Sequence, residues 1–167
     1  MKTHVYMDVD GVLNGVGASP GAGGWSPEKW ERFEVNGYLI TFHHDLMNQL
    51  REIEARDDVS FFWLTTWCRD APRLLSPTFG LGSQWPVVGE DEYLSSGAPY
   101  NWWKYPAISE HLAETQPDRF VWLDDHTARV LLELPDRIEE VPGLSLSPNT
   151  RVGLSKSHLT QIHDFLE

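Results

Sequence analysis

Three short apolar runs set the frame of this chain: His4-Val5-Tyr6-Met7-Asp8-Val9, Val59 to Leu64, and Phe120-Val121-Trp122-Leu123. Each is rich in β-branched and aromatic residues and too short for a helix, so each reads as a buried strand. Between them lie segments with helical spacing. Asp45 to Arg56 places Leu46, Leu50 and Ile53 on one face with Met47 alongside, and Trp102 to Glu114 does the same with Ile108 and Leu112. Strands alternating with helices predict an α/β fold, a doubly wound parallel sheet covered on both faces. Cys68 to Leu75 and Thr127 to Leu134 are expected as short helices, Trp85 to Val88 and Leu144 to Leu146 as short strands, and His158 to Leu166 as a C-terminal helix. The rest of Ser76 to Asn101, with Pro77, Pro86 and Pro99, reads as loop. A length of 167 residues suits one domain spanning 1–167.

After the first strand comes a Gly-rich loop, Gly15 to Gly24, and then two strand-like runs, Trp30 to Val35 and Tyr38 to Phe42. Asn36-Gly37 separates them, a strong hairpin signal because both residues tolerate positive φ. Residues 12–44 are therefore expected to form a loop and a small β-hairpin flap.

Thirteen basic residues against 25 acidic ones give a formal charge of −12. Such an excess repels phosphate backbones and anionic lipid, which argues against a stable nucleic-acid coat or membrane-surface binding. The longest strongly apolar stretch, Phe61 to Leu64, is far short of the roughly 20 residues of a membrane span, and Met1 to His4 does not begin a signal-peptide apolar region. Cys68 is the single cysteine and has no internal partner for a disulfide. The expectation is a soluble, cytoplasmic protein.

In a parallel sheet of this kind, ligands bind beyond the carboxyl ends of the strands. The first strand delivers Asp8-Val9-Asp10-Gly11 there, the second Thr65-Thr66, and the third Asp124-Asp125, while Lys104 stands near the start of the helix before the third. Crowded carboxylates disfavour one another's ionised forms unless a cation compensates. Mg²⁺ suits this oxygen-rich set, since it takes one or two carboxylates plus substrate phosphate and keeps several waters. No Cys/His cluster offers zinc an alternative.

The order Asp8-x-Asp10-Gly11, strand-plus-Thr65, Lys104, strand-plus-Asp124-Asp125 resembles the haloacid dehalogenase (HAD) superfamily of phosphotransferases. Four ordered motifs between residue 4 and about 130 carry the resemblance. It implies that Asp8 is a nucleophile forming an aspartyl-phosphate, and that Asp10 is the general acid/base whose backbone carbonyl also binds the metal. Thr65 would hold the transferring phosphoryl and Lys104 would offset its charge. The metal set would be Asp8, Asp10, Asp124 and Asp125, with either of the last two able to make the direct contact. Gly11, Thr66, Trp67 and Arg69 are candidate substrate contacts, and Thr66 is the alternative to Thr65. Val12 stands where the family often has Thr, a position outside the reacting groups.

Trp63-Leu64-Thr65-Thr66-Trp67, Trp102-Trp103-Lys104 and Val121-Trp122-Leu123-Asp124-Asp125 further resemble a bacterial and phage subgroup associated with polynucleotide end-repair phosphatase domains. The family places large caps after the first strand or between the second and third motifs. Here those intervals, 12–44 and 76–101, are too short for a large cap, so an open site with a small flap is expected. Trp25, Trp30 and Trp67 are candidates for stacking on a base, although core packing is the ordinary role of Trp. His126 is a candidate substrate contact, whereas His43-His44-Asp45 reads as a helix start rather than a metal site.

Rival chemistries fail on spacing. Gly15-x-Gly17 meets Pro20 where a dinucleotide loop needs Gly, and no Gly-Lys-Ser/Thr makes a P-loop. Cys-x5-Arg would need Arg where Leu74 stands, and no Gly-x-Ser-x-Gly elbow is present. The resemblance thus implies a Mg²⁺-dependent phosphomonoester hydrolase working through Asp8. A nucleotide or nucleic-acid 3′-end phosphatase stands second, and a non-catalytic phosphoryl-binding module third.

Overall fold

The computed structural model describes residues 1–19, 21–96, 103–131 and 133–167; Pro20, Pro99, Asn101, Trp102 and Leu132, named above within expected loops and helices, lie outside the described residues. Strand β1 (Thr3–Met7) leads through a loop and two 3-10 turns to the hairpin β2 (Trp30–Val35) and β3 (Tyr38–His43), then to α1 (His44–Glu54) and β4 (Val59–Trp63). A π turn over Ala71–Leu75 runs into α2 (Ser76–Phe79), followed by α3 (Glu90–Ser96), α4 (Lys104–Thr115) and β5 (Arg119–Leu123). The chain continues through α5 (Thr127–Val130), β6 (Arg137–Ile138) and β7 (Val141–Leu146) to α6 (Lys156–Leu166). No helix is long and apolar enough among the described residues to cross a membrane.

The sheet order is β4-β1-β5-β7-β6, with parallel pairing from β4 to β7 and β6 added antiparallel at one edge. This is the doubly wound α/β arrangement, with a separate two-stranded hairpin and no large inserted cap among the described residues. Successive side chains of a strand point to opposite faces, so β1 serves both. Val5 and Met7 pack with Leu46, Met47, Leu50 and Ile53 of α1 and Leu159, Ile162 and Leu166 of α6. Tyr6 packs on the other face with Ala107, Ile108 and Leu112 of α4. The chain moves from β1 to β4 on one side and returns to β5 on the other, so the strand order reverses at β1. That reversal opens a crevice beyond the carboxyl end of β1.

The hairpin forms as expected. Asn36 and Gly37 take φ of 52° and 78°, the two positive values a tight turn needs. Its base is part of the core, since Ile40 and Phe42 are buried, and only its tip around Tyr38 and Leu39 is exposed. Helix α1 starts where Asp45 N–H donates to His43 Nδ1, so the His-His-Asp sequence is a cap.

Five elements differ from expectation. The helix after β4 spans Ala71–Leu75 and Ser76–Phe79 rather than ending at Leu75; its π turn abuts Pro77, which has no N–H to continue the regular ladder. Helix α3 falls where loop was expected: none of its residues is buried, so no apolar period announces it, although Glu90, Asp91 and Glu92 fill its first turn favourably. Trp85 to Val88 contributes a single parallel bridge, Trp63 to Val87. The helix after β5 stops at Val130, because Leu131 turns extended and packs against the α4-side core. Strand β7 begins at Val141, three residues earlier than expected, and Gly143 admits the Phe120 ring where any Cβ would collide with it.

Candidate active site

Register explains how the acids meet. Met7 lies opposite Trp63 and Leu123, so Asp8 is level with Leu64 and Asp124 at the carboxyl end of the sheet. By strand alternation Asp8 and Asp124 follow Tyr6 and Trp122 to the α4 side, and Lys104 is the first residue of α4. Its Nζ donates to Asp8 Oδ2 at 2.6 Å and to Asp124 Oδ2 at 2.5 Å. Asp125 has the opposite parity and is held elsewhere: its Oδ2 accepts from Thr150 Oγ1 at 2.5 Å and its Oδ1 meets His126 Nδ1 at 2.8 Å. Exposure is 1 % for Lys104 and Asp124, 4 % for Asp125 and 6 % for Asp8.

The backbone fixes the remaining lone pairs. Asp8 Oδ1 accepts from Val9 N–H at 2.7 Å, and Asp124 Oδ1 from His126 N–H at 2.8 Å. Gly11 has φ of 72°, and any Cβ there would collide with Asp125 Cγ and Oδ2. Its role in the structure is to let the loop after β1 close onto Asp125.

Burial pushes the Asp8 carboxyl up to about 7; Lys104 pulls against this, and Asp124 adds to it. Burial also opposes charge on Lys104, but Asp124 and Asp8 outweigh it and hold the ammonium above its ordinary value. Two buried carboxylates share one buried ammonium and a third, Asp125, stands beside them without a cation of its own, so positive charge is undersupplied. Ligand atoms of Asp124, Asp125 and His126 all lie within 4.8 Å of one another. This hard-oxygen set, short of positive charge, fits a divalent cation such as Mg²⁺.

Asp10 differs from these. It is half-buried, and its side chain is gripped from two sides: Asn14 Nδ2 donates to Oδ1 at 2.7 Å and Trp67 Nε1 donates to Oδ2 at 2.9 Å. Thr65 is buried just beyond β4, where its Oγ1 accepts from Trp67 N–H at 3.4 Å. Thr66 is exposed and lines an open cavity of about 280 Å³ with Asp10, Asn36, Tyr38, Trp67, Asp70 and Tyr93. The hairpin tip, the loop after β4 and α3 thus make one wall-sided slot beside Asp10.

Arg69 points to α3 instead, where its Nε donates to Glu90 Oε2 at 2.6 Å. Trp25 is 2 % exposed and its Nε1 donates to Leu154 O, so it is a core residue with no face to offer a base. Trp30 packs on the same core edge-on to His43. Of the three stacking candidates, Trp67 alone lies in the slot. Burial pushes the Cys68 thiol up to about 11, with Glu90 and Asp70 adding to it, which disfavours the thiolate. Asn14 and Thr150 are positioning residues that the sequence reading did not select. Asn14 had a signal in its place four residues after Asp10; Thr150 had none, being 25 residues beyond Asp125.

No curated protein and no solved structure matches the chain. One family does, described as the HAD domain in Swiss Army Knife RNA repair proteins, over residues 4–159. That span contains the Asp8-to-Asp125 constellation and all but the first residue of the sheet that positions it, and the chain belongs to this family of HAD domains.

Proposed function

We propose that the chain is a Mg²⁺-dependent phosphomonoester hydrolase working through an aspartyl-phosphate on Asp8. The observation that carries this reading is the pair of buried carboxylates, Asp8 and Asp124, bridged by the buried Lys104 at the sheet's reversal point. A carboxylate oxygen of Asp8 attacks phosphorus, the ester P–O bond breaks, and the leaving oxygen takes a proton from Asp10. Asp10 then accepts a proton from water, which attacks the acyl phosphate and releases inorganic phosphate and the Asp8 carboxylate. Lys104 and the Thr65 hydroxyl hold the phosphoryl oxygens. Asp8, Asp124 and Asp125, with the Asp10 carbonyl, would hold Mg²⁺, which supplies charge neutralisation at the phosphoryl group.

A second reading, a nucleotide or nucleic-acid 3′-end phosphatase, is favoured by the slot beside Asp10. Tyr38 and Trp67 meet edge to face there, with ring centres 5.5 Å apart, and Tyr93 stands on the facing helix. Aromatic faces accept a base without demanding its sequence, and each such contact contributes about 1–3 kcal/mol. The family's description as RNA repair domains points the same way.

Turnover of an aryl phosphate with Mg²⁺, with and without EDTA, tests the first reading, and a panel of sugar phosphates, nucleotides, 3′-phosphorylated oligonucleotides and phosphopeptides ranks the second. Metal-dependent turnover that Asp8→Asn abolishes is expected. No metal-dependent turnover of any panel member would leave the third possibility, a phosphoryl-binding module without catalysis.

A further inference from the structure

A second concavity lies on the opposite flank of the acids. It has a volume of about 600 Å³ and is lined by Val16, Gly17, Arg129, Asn149, Thr150 and Arg151. Three segments meet there: the loop after β1, helix α5 after Asp124-Asp125, and the loop between β7 and α6. Val16 N–H donates to Thr150 O at 3.1 Å and ties the first to the third. Thr150 also donates to Asp125 Oδ2, so the concavity shares a wall with the candidate metal centre.

Its charge is the opposite of the rest of the surface. In a chain of net charge −12 it contains two arginines and no carboxylate. The other arginines are engaged: Arg56, Arg69, Arg73 and Arg137 in ion pairs, and Arg32, Arg51 and Arg119 in side-chain hydrogen bonds. Among the described residues, Arg129 and Arg151 are the two whose guanidinium groups have neither, and both line this concavity. With so much acid available elsewhere, two exposed, unpaired arginines lining one hollow leave a local surplus of forked donors, which suits phosphate.

We propose that Arg129 and Arg151 form a subsite for a second phosphate of the substrate, carried by the same molecule whose terminal phosphoryl group reaches Asp8. This rests on the phosphoester reading above and narrows its substrate to compounds with two phosphate groups: a nucleoside bisphosphate or the 3′-phosphorylated end of an oligonucleotide. The slot at Tyr38 and Trp67 lies on the Asp10 side and the arginines on the Asp125 side, so such a substrate would lie across the crevice with its reacting phosphoryl between them. A single anchored phosphate is compatible with an acidic protein, because the surrounding charge opposes a long backbone but not one paired group.

The test measures binding rather than turnover, using the full chain carrying Asp8→Asn with Mg²⁺. Calorimetric titration with adenosine 3′-monophosphate, adenosine 3′,5′-bisphosphate and a 3′-phosphorylated dinucleotide gives the preference for the second phosphate as a ratio. The expected ratio is about tenfold or more, falling as salt rises. It should collapse towards one with Arg129→Ala plus Arg151→Ala and persist in part with both changed to Lys. Preference for the bisphosphate alone would assign a mononucleotide, and preference for the dinucleotide an oligonucleotide end. Equal affinity for mono- and bisphosphate in the protein with both arginines, or a ratio untouched by their removal, overturns the subsite. Failure of the phosphatase reading is seen separately, as absence of turnover by the chain with Asp8 in place.

Discussion

At the centre of the site, Lys104, Asp8, Asp124 and Asp125 are almost closed to solvent, and every one is bonded to a strand end, a helix start or a neighbouring loop. At the rim, Asp10 is half-buried, Tyr38 is 64 % exposed, and the partners are a hairpin tip and a helix with no buried residue. The centre is supported by the sheet register. The rim is supported by loops and can change without disturbing the sheet. On the proposed function, phosphoryl transfer belongs to the centre and selection to the rim, with Asp10 the one rim group that serves the chemistry, and the contrast can be broken by showing that the centre selects or that the slot does not.

The largest expected effect is at the centre. Asp8→Asn should lower kcat by at least about 10⁴-fold, because the amide cannot serve as the attacking oxygen anion. Lys104→Met should follow, with a loss of about 10²–10³-fold in kcat/KM. It also leaves Asp8 and Asp124 facing each other in a dry site, so metal-free protein should lose about 3–5 kcal/mol of stability in denaturant unfolding. A fully active Lys104→Met protein would mean that the bridge is structural and the chemistry lies elsewhere.

Rim substitutions should be smaller and should divide between kcat and KM. Trp67→Phe keeps a ring in the slot but removes the donor to Asp10 Oδ2. The expected result is about a tenfold lower kcat on a small aryl phosphate with little change in KM, since the acid/base loses its orientation. Tyr38→Ala should instead raise KM about tenfold for a nucleotide substrate and less for the aryl phosphate. If Tyr38→Ala changes both substrates alike, the slot does not select.

Much of the centre was legible in the sequence because it follows from short-range rules. An apolar run that stops on Asp or Thr locates a strand end; which of Asp124 and Asp125 faces Lys104 stayed open until the strand register put Asp8 and Asp124 on one face and Asp125 on the other. The rim was less legible. Helix α3 has no apolar face to announce it, so Tyr93 was read as loop, and Trp25, Trp30 and Trp67 looked equivalent until packing separated them. Arg69 followed Trp67 in the chain and seemed placed for phosphate, but the unforeseen α3 put Glu90 beside it. Net charge misleads for a related reason: it averages over the surface, and nothing in −12 tells that Arg129 and Arg151 line one hollow whose lining has no acid.

The smallest effect probes the burial of the centre itself, through the two ends of β1. Burial raises Asp8 from 3.8 to about 7 and lowers His4, which packs against Phe62 and Tyr6, from 6.5 to about 4, with His111 and Lys2 adding to the latter. The signs are opposite. Folded, metal-free protein keeps a proton on Asp8 that the unfolded chain has released above 3.8, so this share of stability falls as pH rises from 3.8 to about 7. Unfolded chain takes a proton on His4 below 6.5 that the folded protein refuses down to about 4, so this share falls as pH drops through that window, by roughly 3 kcal/mol at most. In EDTA the two oppose each other. A divalent cation at the centre favours ionised Asp8 and cancels its share, so the fall in Tm on acidification from pH 7 to 4.5 should be steeper with Mg²⁺ than with EDTA. His4→Phe should remove the same acid-side loss from both curves, flattening the one with Mg²⁺ and leaving the one in EDTA to rise on acidification through Asp8. Parallel curves with and without Mg²⁺ would separate the metal from Asp8, and the centre would then be buried without being a metal site.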